Sequence, residues 1–134
     1  MENNDMLVRK WMSQCEYLSA LTVSQNGRLE HGIYPSSDSP RWRMNVLGEM
    51  MPDEIQEKSF IFTAKRYYSK TADYAFFTNI VRWINEQNRK GNFPRINDGI
   101  VQSVVPDLTQ YVSEPNRGEE RCEIRITLQY KPYN

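Results

Sequence analysis

Residues 71–94 read TADYAFFTNIVRWINEQNRKGNFP, and the spacing predicts one amphipathic helix with its start and stop written into the two ends. Phe76, Phe77, Ile80, Val81, Trp83, Ile84 and Gln87 recur at three- and four-residue intervals, so their side chains gather into one wide stripe. Thr71 is placed to cap the first turn, and Asp73 lies where the positive end of the helix dipole favours an acid, while Arg89 and Lys90 lie at the negative end. Gly91 supplies a left-handed stop and Pro94 keeps the helix from resuming. Such a stripe needs a second layer over it, and its rings read as core rather than as a ligand site, because aromatic side chains dominate small cores.

Outward from this helix the rest of the chain reads as strands and one further helix. Leu7, Val8, Trp11, Met12 and Cys15 predict a helix from Asp5 to about Tyr17, capped by Asn3, Asn4 or Asp5. From Leu18 to Tyr34 a strand, an Asn26-Gly27 turn and a second short strand fit the pattern. PSSDSP, residues 35–40, is a loop by composition, and Arg41 to Val46 alternate as a strand does. After a break at Met-Pro-Asp, Ile55 to Tyr68 reads as a central strand with Phe60, Phe62 and Ala64 on one face. Gly99 to Val105 predicts a strand stopped by Pro106, with Tyr111-Val112 resuming it, and Ser113 to Gly118 a turn. Cys122, Ile124, Ile126, Leu128 and Tyr130 alternate with polar residues, so one face of the last strand is buried and the other wet, the pattern of an antiparallel sheet with helices on its buried side.

The fold expected is α+β: an antiparallel or mixed sheet of about four strands packed against an N-terminal helix and one long central helix. With 134 residues the chain is expected to form a single domain. The sequence is 39% hydrophobic and 25% charged, a balance that suits a folded chain. Lysine plus arginine equals aspartate plus glutamate at 17 each, so no global field draws nucleic acid or an anionic membrane. The N-terminus has no apolar run of signal-peptide length, and no stretch is long enough to span a bilayer, so synthesis in a cytoplasm is expected. Two cysteines, Cys15 and Cys122, read as reduced, buried small hydrophobes.

No catalytic constellation emerges. His31 is the single histidine and neither cysteine lies in a CxxC pair, so no metal and no cofactor is expected. GxGxxG, GxxxxGK[ST] and GxSxG are absent from the sequence. Asp53-Glu54 and Glu119-Glu120 read as solvated acids in turns. Two groupings mix aromatic and basic residues: Arg41-Trp42-Arg43 and Lys65-Arg66-Tyr67-Tyr68. Protein interfaces favour those types, single strands of nucleic acid stack on them, and half-buried strands with solvated arginines also produce them. Arg41, Trp42, Arg43, Arg66, Tyr67 and Tyr68 are therefore the candidate partner-binding residues.

The segment FTNIVRWINEQNRKGNFP, the strand with Ile100 and Val104, Tyr111 before a turn and the ending RCEIRITLQY together resemble a family of small phage and prophage proteins. They are labelled minor capsid proteins and sit among head-completion and tail genes in phages of Gram-positive gut bacteria. The matching signature is Trp83-Ile84, the Glu86-Gln87-Asn88 run, the exit from Gly91 to Pro94 and the alternating last strand. It covers roughly the C-terminal half, with the N-terminal half similar only in outline. Some members carry a chloramphenicol-resistance label, which this sequence does not support, because His31 stands in no acetyltransferase motif. The family's size and gene position are similar to those of tail terminators. The resemblance implies a non-enzymatic virion protein, present in the host cytoplasm before assembly. It implies a homo-oligomeric ring, hexameric, that contacts the tail tube protein and the head connector, with no membrane and no specific nucleic acid as partner. The competing reading is a small bacterial enzyme or adaptor domain, for which His31, Asp53 or Glu54 would have to be catalytic.

Overall fold

The computed structural model describes residues 2–18, 29–35, 42–67 and 74–133. Along these, helix α1 (Asn4–Met12) leads through a 3-10 turn (Glu16–Leu18) to strand β1 (Leu29–Pro35) and the short strands β2 (Trp42–Met44) and β3 (Met50–Pro52). Strand β4 (Gln56–Tyr67), helix α2 (Tyr74–Lys90), strand β5 (Gly99–Glu114), a second 3-10 turn (Pro115–Arg117) and strand β6 (Glu119–Pro132) complete the order. The fold is α+β, as the sequence predicts. One sheet has the order β1-β4-β6-β5 with every neighbouring pair antiparallel, and β2 and β3 form a separate hairpin.

The central helix begins at Tyr74 and ends where Gly91 stands, at φ 73°. Gly91 N–H donates to Asn88 O at 3.2 Å and Asn92 N–H to Gln87 O at 3.0 Å, the paired bonds of a Schellman stop that a left-handed glycine permits. Phe76, Phe77, Ile80, Trp83, Ile84 and Gln87 are buried. The Gln87 amide has polar company there: Asn92 Nδ2 donates to its Oε1 at 2.7 Å. Thr71 and Asp73 lie outside the described residues, as do the expected strand around Leu21 and Val23, the Asn26-Gly27 turn and residues 36–40 of the loop.

Helix α1 starts at an Asn3 cap whose Oδ1 accepts from Met6 N at 2.9 Å. It is shorter than the periodicity predicts: the helix stops at Met12, and Cys15 is buried from the turn that follows. α1 packs against β1, and α2 against β5. Trp11 meets Trp83 with ring centroids 5.0 Å apart, and its indole N–H donates to Asn92 O at 2.9 Å. Beneath the helices the sheet contributes Phe60, Phe62 and Ala64 from β4, Cys122, Ile124, Ile126 and Leu128 from β6, and Val101 and Val104 from β5.

Three expectations are corrected. The strand expected to stop at Pro106 continues through it to Glu114. Among the described residues β5 is one of two edge strands of the sheet, and an edge strand tolerates a residue with no N–H on its unpaired side. Glu119 and Glu120 are not turn residues but the start of β6, and Glu120 is 1% exposed. Of the strand expected over Arg41 to Val46, Trp42–Met44 form one and Asn45 and Val46 lie beyond its end, with Arg41 outside the described residues.

Candidate interaction surface

The hairpin of β2 and β3 is built around one side chain. Asn45 Oδ1 accepts from Leu47 N at 3.0 Å and Glu49 N at 2.9 Å, and Asn45 N–H donates to Glu49 O at 2.9 Å. Gly48, at φ 82°, takes the left-handed step that closes this turn, and its N–H donates to Asn45 O at 3.1 Å. The turn therefore holds Val46 and Leu47 outward in a defined geometry, 101% and 78% exposed. Register pairs Trp42 with Pro52 and Met44 with Met50, so these four share one face, while Arg43 and Met51 share the other. Every residue of both strands is exposed, Trp42 at 57%.

Six large apolar side chains on one hairpin, Trp42, Met44, Val46, Leu47, Met50 and Met51, thus stand in water. Single exposed apolar residues are ordinary, but Trp42, Met44 and Met50 share one face beside the apolar turn, and an adjoining set of that kind marks an interaction site. The polar groups sit at the base: Arg43 approaches Glu54 at 3.7 Å, and Gln56 Nε2 donates to Asp53 O at 2.9 Å. The mix of aromatic and basic residues points to Trp42 and Arg43, but the five further apolar residues carry no motif. The signal of the last four was the run VLGEMMP, too short on each side of the turn to read as anything but a break.

The described residues of the two groupings named from sequence lie on different elements, β2 and β4. The hairpin joins β4 at Gln56 and Tyr67 is eleven residues further along, roughly 36 Å at about 3.3 Å per residue. Arg41 and Tyr68 lie outside the described residues. Arg66 points into the core, where its Nη1 donates to Glu120 Oε1 at 3.0 Å. Lys65 and Tyr67 point the other way, the ammonium 5.2 Å from the Tyr67 ring centroid and 3.4 Å from Glu119. Hydrogen bonding to Tyr67 and then to Glu119 holds the Lys65 pKa above its ordinary value.

The face of the sheet away from the helices carries a shallow groove of about 440 Å³ over Gly32. Glu30, Lys65 and Arg121 stand side by side there in register, with Thr63 beside Glu123. Glu30 and Lys65 are opposite charges in register while Lys65 and Arg121 are like charges, so the groove carries both signs, as the solvated side of an antiparallel sheet does. His31 is among the residues lining this groove, pairs with Ala64 and has its ring 6.0 Å from Phe62. Burial, with the nearby Arg9 charge adding, pushes its pKa down. Asp53 and Glu54 precede Gln56, and Ala64 is eight residues beyond it, so His31 stands roughly 26 Å from them along the strand. Among the described residues no three or more of His, Cys, Asp and Glu are grouped to hold a metal ion, and no helix is long and apolar enough to cross a membrane. No family model, curated protein or solved structure matches this chain.

Proposed function

We propose that this chain is a structural protein of a phage or prophage virion, a tail-terminator or head-tail joining subunit that closes into a ring at the end of the tail tube. The observation that carries this reading is the hairpin, which holds Trp42, Met44, Val46, Leu47, Met50 and Met51 in water on a turn ordered by Asn45. Burying a side chain of this kind is worth about 1.5–3 kcal/mol, so a hairpin carrying six of them is suited to be an arm for assembly. The resemblance of the α2 segment and the last strand to phage minor capsid proteins supplies the class of partner: the tail tube, the head connector and further copies of the chain.

The β5 edge of the sheet favours assembly through the arm over strand pairing. β5 carries Pro106, Asp107 and two register shifts, between Val101 and Ser103 and between Leu108 and Gln110, all features that blunt an edge against a second sheet. Deletion of the gene, followed by electron microscopy of lysates, tests the reading. Unjoined heads with overlong or unfinished tails are expected. Normal infectious particles overturn it.

A further inference from the structure

At the mouth between α1, the segment after α2 and the start of β5 lies an open groove of about 480 Å³, within the size range of sites that bury a ligand group. Leu7, Phe93, Pro94, Ile96, Ile100 and Tyr133 line it, and an adjoining hollow of about 340 Å³ shares Leu7, Phe93 and Pro94. Among the described residues the charged members of the two linings are Lys10 and Arg95, both basic. No residue of the hairpin lines either hollow. The hairpin tip matches it in polarity and opposes it in charge: Val46 and Leu47 are exposed and apolar, and the one charged residue of the turn is the acid Glu49.

We propose that the groove receives the hairpin tip of a second copy of this chain, with Val46 and Leu47 seated among Phe93, Ile96 and Ile100 and Glu49 against Arg95. The assignment rests on the reading of the hairpin as an assembly arm and names its partner. Apolar anchors filling a pocket inside a polar rim are how protein interfaces concentrate their affinity. Knob and groove are different surfaces of one chain, so the contact is head-to-tail, and each copy both offers a tip and accepts one. Such a contact closes into a ring when the rotation between copies allows it, with the tail end as template.

Cysteine crosslinking tests the contact even when it is short-lived. The native thiols are silent: Cys15 and Cys122 are free and buried, and burial pushes them up to about 11 and about 12. Leu47→Cys and Ile100→Cys replace exposed side chains. The doubly substituted chain, treated with a bis-maleimide crosslinker, is expected to give a ladder of covalent oligomers. A mixture of the two singly substituted chains is expected to give one covalent dimer and nothing larger. Glu49→Arg in the doubly substituted chain is expected to lose the ladder, and adding Arg95→Glu to restore it. Val46→Cys with Tyr133→Cys repeats the test at independent exposed positions. The proposal is overturned by a crosslink confined within one chain, by Leu47→Cys chains that join each other as readily as the mixture does, or by the absence of a ladder in both pairs. None of these outcomes bears on whether gene deletion leaves tails unfinished, so the virion reading and the groove assignment fail separately.

Discussion

Arg66 and Glu120 face each other in register across β4 and β6, with Arg66 Nη1 donating to Glu120 Oε1 at 3.0 Å and both side chains withdrawn from solvent. The second carboxylate oxygen accepts from Tyr111 Oη of β5 at 2.8 Å, and the guanidinium lies 5.5 Å from the ring of Phe76 on α2. A buried charge is tolerated only when paired and hydrogen-bonded, and here the pairing joins three strands and the helix above them.

The first prediction follows from that arrangement. Removing one partner of a buried pair leaves the other charge uncompensated, so Arg66→Met or Glu120→Leu alone is expected to cost about 3–5 kcal/mol. The double replacement puts two apolar side chains in contact and is expected to recover most of the loss. Urea unfolding of the three variants checks it. A single variant as stable as the parent would show that the pair does not stay buried in solution.

The second concerns the pillar of the core. Trp83 is buried between α1 and the sheet and meets Trp11 at 5.0 Å. Trp83→Ala is expected to cost about 3–5 kcal/mol through the cavity it leaves, read as a lowered midpoint in thermal or denaturant unfolding. An unchanged midpoint would place Trp83 outside the core.

These two sites differ in how far the sequence reveals them. Trp83 was legible because helical periodicity reports burial directly: every third or fourth residue from Phe76 to Gln87 faces the sheet. The alternation of β6 was legible for the same reason, down to Leu128. Glu120 was not, although it lies in register with Cys122 and Ile124, because a carboxylate beside a glycine-containing turn reads as solvated unless its partner is known. That partner, Arg66, is 54 residues away and was grouped by adjacency with Lys65 and Tyr67, which face the opposite side. Asn88 shows the same limit. Its Oδ1 accepts from Val104 N at 2.9 Å next to the register shift in β5, fastening the edge strand to α2, and no local pattern announces a tertiary bond of that kind.

The third prediction is a pH dependence. Burial, and then the Arg9 charge, hold the His31 pKa below its ordinary 6.5. In the interval between the lowered value and 6.5 the unfolded chain binds a proton that the folded chain resists, so stability rises with pH there. The full stability contributed by neutral His31 is present above 6.5 and is lost as pH falls below it. His31→Gln is expected to flatten melting temperature against pH through that interval. Asp98 does not confound the reading: Lys58, 2.8 Å away, holds it below 3.8, so its stabilising contribution is present above 3.8 and lost only as pH falls beneath that value. An equal slope in parent and variant would overturn the prediction.

The last prediction separates the arm from the core by opposite outcomes at tryptophan and arginine. Trp42 is 57% exposed on a hairpin with no buried residue in either strand, so Trp42→Ala is expected to change unfolding free energy by no more than about 0.5 kcal/mol, as surface substitutions do. Arg43→Glu is expected to be similarly silent, since its contact with Glu54 at 3.7 Å is solvent-exposed and such pairs contribute about 0–1 kcal/mol. Both are expected to weaken association with purified tail tubes, Trp42→Ala by about 2 kcal/mol or more if it anchors the joint, which is roughly thirtyfold in affinity. Cosedimentation with tails, paired with unfolding of the same preparations, checks it. Trp83→Ala and Arg66→Met should lose stability, whereas Trp42→Ala and Arg43→Glu should lose assembly alone. A Trp42 variant that unfolds early while still binding tails would mean that the hairpin packs on its own body in solution, and that the joint lies elsewhere.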